Sequence, residues 1–229
     1  MADYTRVRNN PIIPNGCEDP HFPDPHMKLF RVDGVEKLYM YCGRDFGTDR
    51  FDLRNWYVLV TDNMVDWEYK KVLDSKDTYL GADASDCWAC DVVQSPKDKK
   101  FYLYYSEADK TTGVAVSDKP DGPFKDANHM QPVLYPDLSP TTEYDPDVVM
   151  PEKEGEAAWI FFGSPKGVRK NADDYWAVKL NEDMISVDPE SLKKILVFKS
   201  KEDEEELEVD MKSDQPEIFK RKDNYYLYW

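Results

Sequence analysis

The chain has 229 residues, with 30 Lys and Arg against 46 Asp and Glu, a formal net charge of −16 and a hydrophobic fraction of 41%. So acidic a surface repels polyanions, which argues against nucleic acid and anionic membrane as partners. No apolar run approaches the roughly 18–20 residues of a membrane span. The opening stretch carries neither an apolar core nor a small-residue cleavage site, so no signal peptide is visible and the expected location is cytoplasmic.

In chain order, the segments read as strands and turns. Leu29–Val32 and Lys37–Tyr41 (KLYMY) flank Asp33-Gly34, a two-residue hairpin signal. Trp56–Val60 (WYVLV) follows. Cys87-Trp88-Ala89-Cys90 fits a CxxC pattern, yet no second pair and only three histidines accompany it, so the four cysteines read as buried free thiols. Cys90–Val93 and Lys100–Tyr105 (KFYLYY) flank a turn at Pro96-Lys97-Asp98, and Gly113–Ser117 (GVAVS) precedes another at Pro120-Asp121-Gly122-Pro123. Asp145–Val149, Ala158–Phe162 (AWIFF) and Tyr175–Leu180 continue the strands. Ser191–Lys199 is the best helix candidate, although its Ile195–Phe198 segment suits a strand equally well. Lys201–Glu208 (KEDEEELE) is a solvated charge run expected between elements. Asp214–Phe219, a turn at Lys222-Asp223-Asn224 and Asn224–Trp229 close the sequence.

A degenerate repeat underlies this order. Units open at Asp24, Cys90, Asp145 and Asp214, spaced by 66, 55 and 69 residues, each with a carboxylate, a strand, a turn and an aromatic strand. That length suits four-stranded sheets repeated about an axis, the architecture of a β-propeller, whose innermost strands bring equivalent ends to one face. Carboxylates are thereby gathered. No phosphate loop, metal-ligand spacing or Ser/His/Asp signature competes with them as a chemical lead. Two opposed carboxylates can cleave a glycosidic bond, one as acid and one as base or nucleophile, and a third can raise the acid's pKa. Trp56, Trp88 and Trp176 are candidates to stack on sugar rings, with a core position as the competing expectation for each.

Several ordered motifs resemble glycoside hydrolase family 43, from Asn10 to the end of the chain. They are Asn10–Pro14 (NPIIP), Asp24-Pro25-His26 ahead of Asp33-Gly34, Thr61–Trp67 (TDNMVDW), Trp88–Val93 with Cys90 where the family usually has Pro, Val114–Phe124, Tyr144–Val148 and Lys179–Ser186. The resemblance implies an all-β, five-bladed β-propeller, of which residues 1–229 cover about three and a half blades of one catalytic domain. It implies an inverting glycosidase removing α-L-arabinofuranosyl or β-D-xylosyl units from hemicellulose-derived oligosaccharides or polysaccharides. By position, Asp24 is the general base, with Asp19 as runner-up, and Asp145 orients and tunes the acid. The acid position holds Asp214 where the family carries Glu, with Glu217 just beyond; a working Asp214, a shift to Glu217 and an impaired site all remain open. His26, Trp56, Trp88 and Asp91 are the expected substrate contacts. No cofactor is required; a calcium ion is allowed by resemblance alone and is assigned to no residue. A non-catalytic carbohydrate-binding propeller is the alternative. Oligomeric state and the choice between arabinose and xylose are open.

Overall fold

The structure, a computed structural model, describes residues 5–7, 21–47, 49–153, 155–164, 174–195, 215–222 and 224–228. Cys17, Asp19, Asp214, the NPIIP motif and the KEDEEELE run lie outside these. The described chain is all β apart from one 3₁₀ turn at Ser75–Asp77. The strands are β1 (Thr5–Val7), β2 (His26–Val32), β3 (Val35–Asp45), β4 (Leu53–Thr61), β5 (Trp67–Asp74), β6 (Cys87–Gln94), β7 (Phe101–Glu107), β8 (Thr111–Ser117), β9 (Lys125–Asp126), β10 (Asp147–Val149), β11 (Ala158–Ser164), β12 (Asp174–Leu180), β13 (Val187–Lys194), β14 (Glu217–Arg221) and β15 (Asn224–Tyr228).

They pair into four separate antiparallel sheets: β1-β5-β4-β3-β2, then β6-β7-β8-β9, then β10-β11-β12-β13, and the hairpin β14-β15. Each repeat unit inferred from the sequence is thus one sheet, and its first strand lies at one edge. The first sheet gains a fifth strand because β1 adds outside β5, with Val7 opposite Trp67. The helix candidate does not form where it is described: Ser191–Lys194 belongs to β13, paired with β12, while residues 196–198 of the strand-like alternative Ile195–Phe198 lie outside the described residues.

Local chemistry explains the turns. Asp33 and Gly34 both have positive φ, 50° and 81°, the backbone of a type I′ hairpin whose twist matches that of β2 and β3. The β4–β5 and β12–β13 turns share a design. In the first, Thr61 Oγ1 accepts from the N–H of Asn63 and Met64, and Asn63 Oδ1 from those of Val65 and Asp66. In the second, Asp183 Oδ1 accepts from the N–H of Ile185 and Ser186. Met64 and Met184 hold the left-handed position in each, at φ 59° and 64°. Burial works to raise the Asp183 pKa, but hydrogen bonds from the Ser186 hydroxyl and the two N–H groups outweigh it and hold the carboxyl below its usual range. A depressed folded-state pKa stabilises above the ordinary aspartate range, and this stabilisation disappears as the pH falls through the folded value. Asp183→Ala is therefore expected to cost about 1 kcal/mol near neutrality. In urea titrations, its gap from wild type should close in acid; a gap that stays constant with pH would contradict this account.

The core lies between the sheets. Tyr39, Tyr41, Trp56 and Val58 of the first sheet pack with Val92, Leu103 and Tyr105 of the second. Tyr102, Tyr104 and Val114 pack in turn with Ile160, Phe162 and Val178 of the third. Full burial of each such aliphatic or aromatic side chain contributes about 1.5–3 kcal/mol. Cys42, Cys87 and Cys90 are buried free thiols, as the weak CxxC pattern suggested. Burial holds the Cys87 thiol well above its usual pKa, so neither thiolate ligation nor redox chemistry is favoured there.

Candidate active site

The first strands of the sheets converge. On β2, alternation turns His26, Lys28, Phe30 and Val32 inward and leaves Met27, Leu29 and Arg31 exposed. His26 and Lys28 meet Asp91 from β6 and Asp147 from β10 in one buried layer. Lys28 Nζ lies 3.0 Å from Asp91 Oδ1 and 3.5 Å from Asp147 Oδ1. His26 Nε2 is 3.3 Å from Asp147 Oδ1, and its Nδ1 is 3.8 Å from Asp91 Oδ1 and 3.1 Å from the amide of Gln215. The remaining carboxylate oxygens stitch sheet to sheet. Asp91 Oδ2 accepts from the N–H of Val148 at 2.9 Å, and Asp147 Oδ2 accepts from the N–H of Ile218.

Charge follows from this packing. Burial alone would lower the pKa of Lys28 and of His26, but the two carboxylates outweigh it and raise both. Burial raises Asp91 against the pull of His26 and Lys28, whereas for Asp147 the His26 hydrogen bond and Lys28 overcome burial and lower it. The layer is an ion cluster in which the carboxylates favour the charged forms of Lys28 and His26.

Two residues before His26 and Asp147, just ahead of β2 and β10, come Asp24 and Asp145. Asp24 is exposed and Asp145 is buried. Both precede proline and both hold positive φ, 50° and 55°, a conformation disfavoured before proline and one that Asp tolerates better than most residues. The first and third units thus begin with the same unusual backbone, just beyond a layer that locks β2 to β10. Burial first, with the Asp24 charge as a further contribution, raises the pKa of the Cys42 and Cys90 thiols. Asp145 is held from the second sheet, its N–H donating to Ser106 Oγ at 2.8 Å and that hydroxyl lying 3.5 Å from Asp145 Oδ1. Glu143, fully buried, accepts from the N–H and hydroxyl of Ser139 at 2.9 and 3.0 Å and so fixes the approach to Asp145.

The structure sorts the expected substrate contacts. Trp56 is 0% exposed, and its indole N–H donates to the Trp88 carbonyl at 2.8 Å, so no ring face is left for a sugar. His26 and Asp91, 3% and 0% exposed, are committed to the ion layer rather than to solvent. The structure thus buries all three of these expected substrate contacts. Trp88 is half-buried, packs edge-on against exposed Phe51 and against Tyr144, and its indole N–H has no hydrogen-bond partner among the described residues. Trp176 is half-buried against the second core cluster. Asp214 lies outside the described residues. Glu217 is exposed at the start of β14. Asp91 leads to Val148 and Asp147 to Ile218 in the same manner, so Glu217 is the counterpart of Asp147, one step inside the rim. Lys28, Glu143, Asp147, Ser106 and Gln215 were not singled out in the sequence as site residues. No local signal in the sequence pointed to Lys28, since on β2 the apolar Met27 and Leu29 face outward and Lys28 inward.

Antiparallel sheets with converging first strands, and carboxylates at matched positions just before the first and third of these strands, make up an all-β architecture. The match to the family described as Glycosyl hydrolases family 43 extends over residues 9–229, and the chain belongs to that family. It is 35% identical over 127 residues to a xylosidase/arabinosidase of Bacteroides ovatus, covering 48% of this chain and 37% of that protein. It is 30% identical over 157 residues to xylosidase/arabinosidase 43A of Humicola insolens, covering 61% and 42%. The chain thus spans about two fifths of these curated relatives. Among solved structures, the GH43_1 enzyme from Xanthomonas citri complexed with xylose superposes with a TM-score of 0.69 at 23% identity, covering 92% of this chain and 67% of that one. A GH43 beta-xylosidase/alpha-arabinofuranosidase from a compost metagenome, solved with xylotriose in a calcium-free form, gives 0.53 at 24%, covering 78% and 63%.

Proposed function

We propose that this chain carries the catalytic face of an inverting glycosidase that removes α-L-arabinofuranosyl or β-D-xylosyl units from hemicellulose-derived oligosaccharides. The observation that carries the reading is the matched backbone of Asp24 and Asp145 beyond the ion layer. In this mechanism Asp24 takes a proton from the water that attacks the anomeric carbon, Asp214 protonates the departing glycosidic oxygen, and Asp145 orients that acid and tunes its pKa. Inversion needs acid and base about 6.5–9.5 Å apart, so that the water fits between base and sugar. Trp88, with Phe51 and Tyr144, offers the aromatic platform. Asp214 is preferred over Glu217 because the register makes Glu217 the counterpart of Asp147, in the layer that ties sheets together. Residues 1–229 are proposed as part of a single five-bladed propeller. The exposed Met27 and Leu29 of the first sheet and the stacked, exposed Phe219, Tyr226 and Tyr228 of the fourth support this, since each leaves an apolar face for a neighbouring blade.

The test is hydrolysis of aryl α-L-arabinofuranoside and aryl β-D-xyloside, with NMR detection of the first anomer released. Inverted product from either substrate supports the reading and names the preferred sugar. Binding without turnover of either would favour the carbohydrate-binding alternative. Asp214→Asn is expected to lower kcat about 10²–10⁴-fold on substrates with poor leaving groups, and Glu217→Gln to change it only a few-fold. The reverse ranking would transfer the acid to Glu217.

A further inference from the structure

His26, Asp91 and Asp147 each present one ligand atom within 4.8 Å of the others, the grouping among the described residues that could hold a metal ion. Calcium is the ion that family resemblance brings to mind, and it takes six to eight oxygen ligands at about 2.3–2.6 Å. The donor set here does not fit it. Asp91 and Asp147 turn one oxygen each inward, and their other oxygens are committed to the N–H groups of Val148 and Ile218. The third donor is an imidazole nitrogen, which suits calcium poorly. Decisively, both inward oxygens already face a cation, since Lys28 Nζ stands 3.0 Å from one and 3.5 Å from the other. An ion within bonding distance of those oxygens would lie against the ammonium, and two cations cannot share so small a space.

We infer that Lys28 takes the place of a divalent cation in this layer: its ammonium neutralises Asp91 and Asp147 and locks the first strands of three sheets, so that the layer needs no calcium to hold it together. The side chain reaches the layer from β2, two residues beyond His26 on the same face, so one strand delivers both the cation and an imidazole. Asp91 and Asp147 come from β6 and β10, and the ammonium between them does what a bridging ion does without any need for an external supply. A protein built this way keeps its stability when calcium is scarce.

Melting temperature and bound-metal content test this, with or without turnover of a glycoside, so the outcome is separable from the proposed activity. The purified protein should melt at the same temperature in excess EDTA and in millimolar calcium, and should carry no stoichiometric calcium by elemental analysis. Lys28→Ala removes the ammonium and opens its space. It should melt roughly 5–10 °C lower. Wild type that is destabilised by EDTA, or purifies with one calcium, would overturn the inference. So would a Lys28→Ala protein that melts like wild type. Should that variant fail to fold, the wild-type response to chelation decides alone.

Discussion

An Asp24→Asn protein is expected to keep its fold and lose its turnover, with kcat falling by about 10²–10⁴-fold, the usual contribution of a positioned general base. The choice of substitution follows from the backbone. Asp24 sits at φ 50°, where a non-glycine residue is disfavoured and Asn is among the best tolerated, whereas alanine would add strain of about 1–2 kcal/mol. Asn also keeps the size of the side chain and removes only its ability to accept a proton. Because Asp24 is exposed, the thermal melt and far-UV circular dichroism should match wild type. KM should move far less than kcat, since the lost interaction is one the water makes in the transition state. A variant retaining turnover within about tenfold of wild type would remove Asp24 from the role of base and direct the search to Asp19, the carboxylate of the neighbouring Asp-Pro-His repeat.

Much of the fold was legible in local chemistry. Asp33-Gly34 announced its hairpin because two successive positive-φ residues make that turn, and strands form on both sides of it as read. The recurring carboxylate openings marked the first strand of each sheet, and TDNMVDW and KLNEDMIS marked equivalent turns stabilised by side-chain oxygens. What was not legible depends on pairs distant in sequence. Lys28 meets Asp147 across 119 residues, and no local pattern distinguishes a lysine aimed at an ion layer from one aimed at water. Trp56 and Trp88 looked alike in sequence. One is core because its indole N–H finds the other's carbonyl, and the other stays half-exposed with that hydrogen free of any described partner. The depth of His26 and Asp91 was not legible either, since the repeat places residues along a strand without stating how deeply the strand is covered. The strand formed by Ser191–Lys194 followed from pairing with β12, a tertiary choice that overrode a weak helical pattern.

The largest loss of stability is expected from Asp91→Ala. Asp91 is 0% exposed and serves three donors at once: its own neighbour's N–H at Val92, 2.7 Å away, the N–H of Val148 in the next sheet, and the Lys28 ammonium. Removing the carboxylate leaves two backbone donors unpaired in the interior, each costing about 1–3 kcal/mol, and a cation short of one counter-charge. Breaking a buried ion pair from one side costs about 3–5 kcal/mol in other proteins, and the extra N–H groups place this variant at the upper end of that range. For a chain of this size that corresponds to a fall in melting temperature of roughly 10 °C or more. The exposed pair Arg54–Asp52, 2.6 Å apart on the surface, supplies the contrast: its removal should leave the melt unchanged, because water and salt screen it. Asp91→Asn keeps one acceptor oxygen for a backbone N–H but turns an NH₂ towards another donor, so it should fall between Ala and wild type. If Asp91→Ala melted within a degree or two of wild type, the ion layer would not be what joins the second and third sheets, and their apolar interface would have to account for the join by itself.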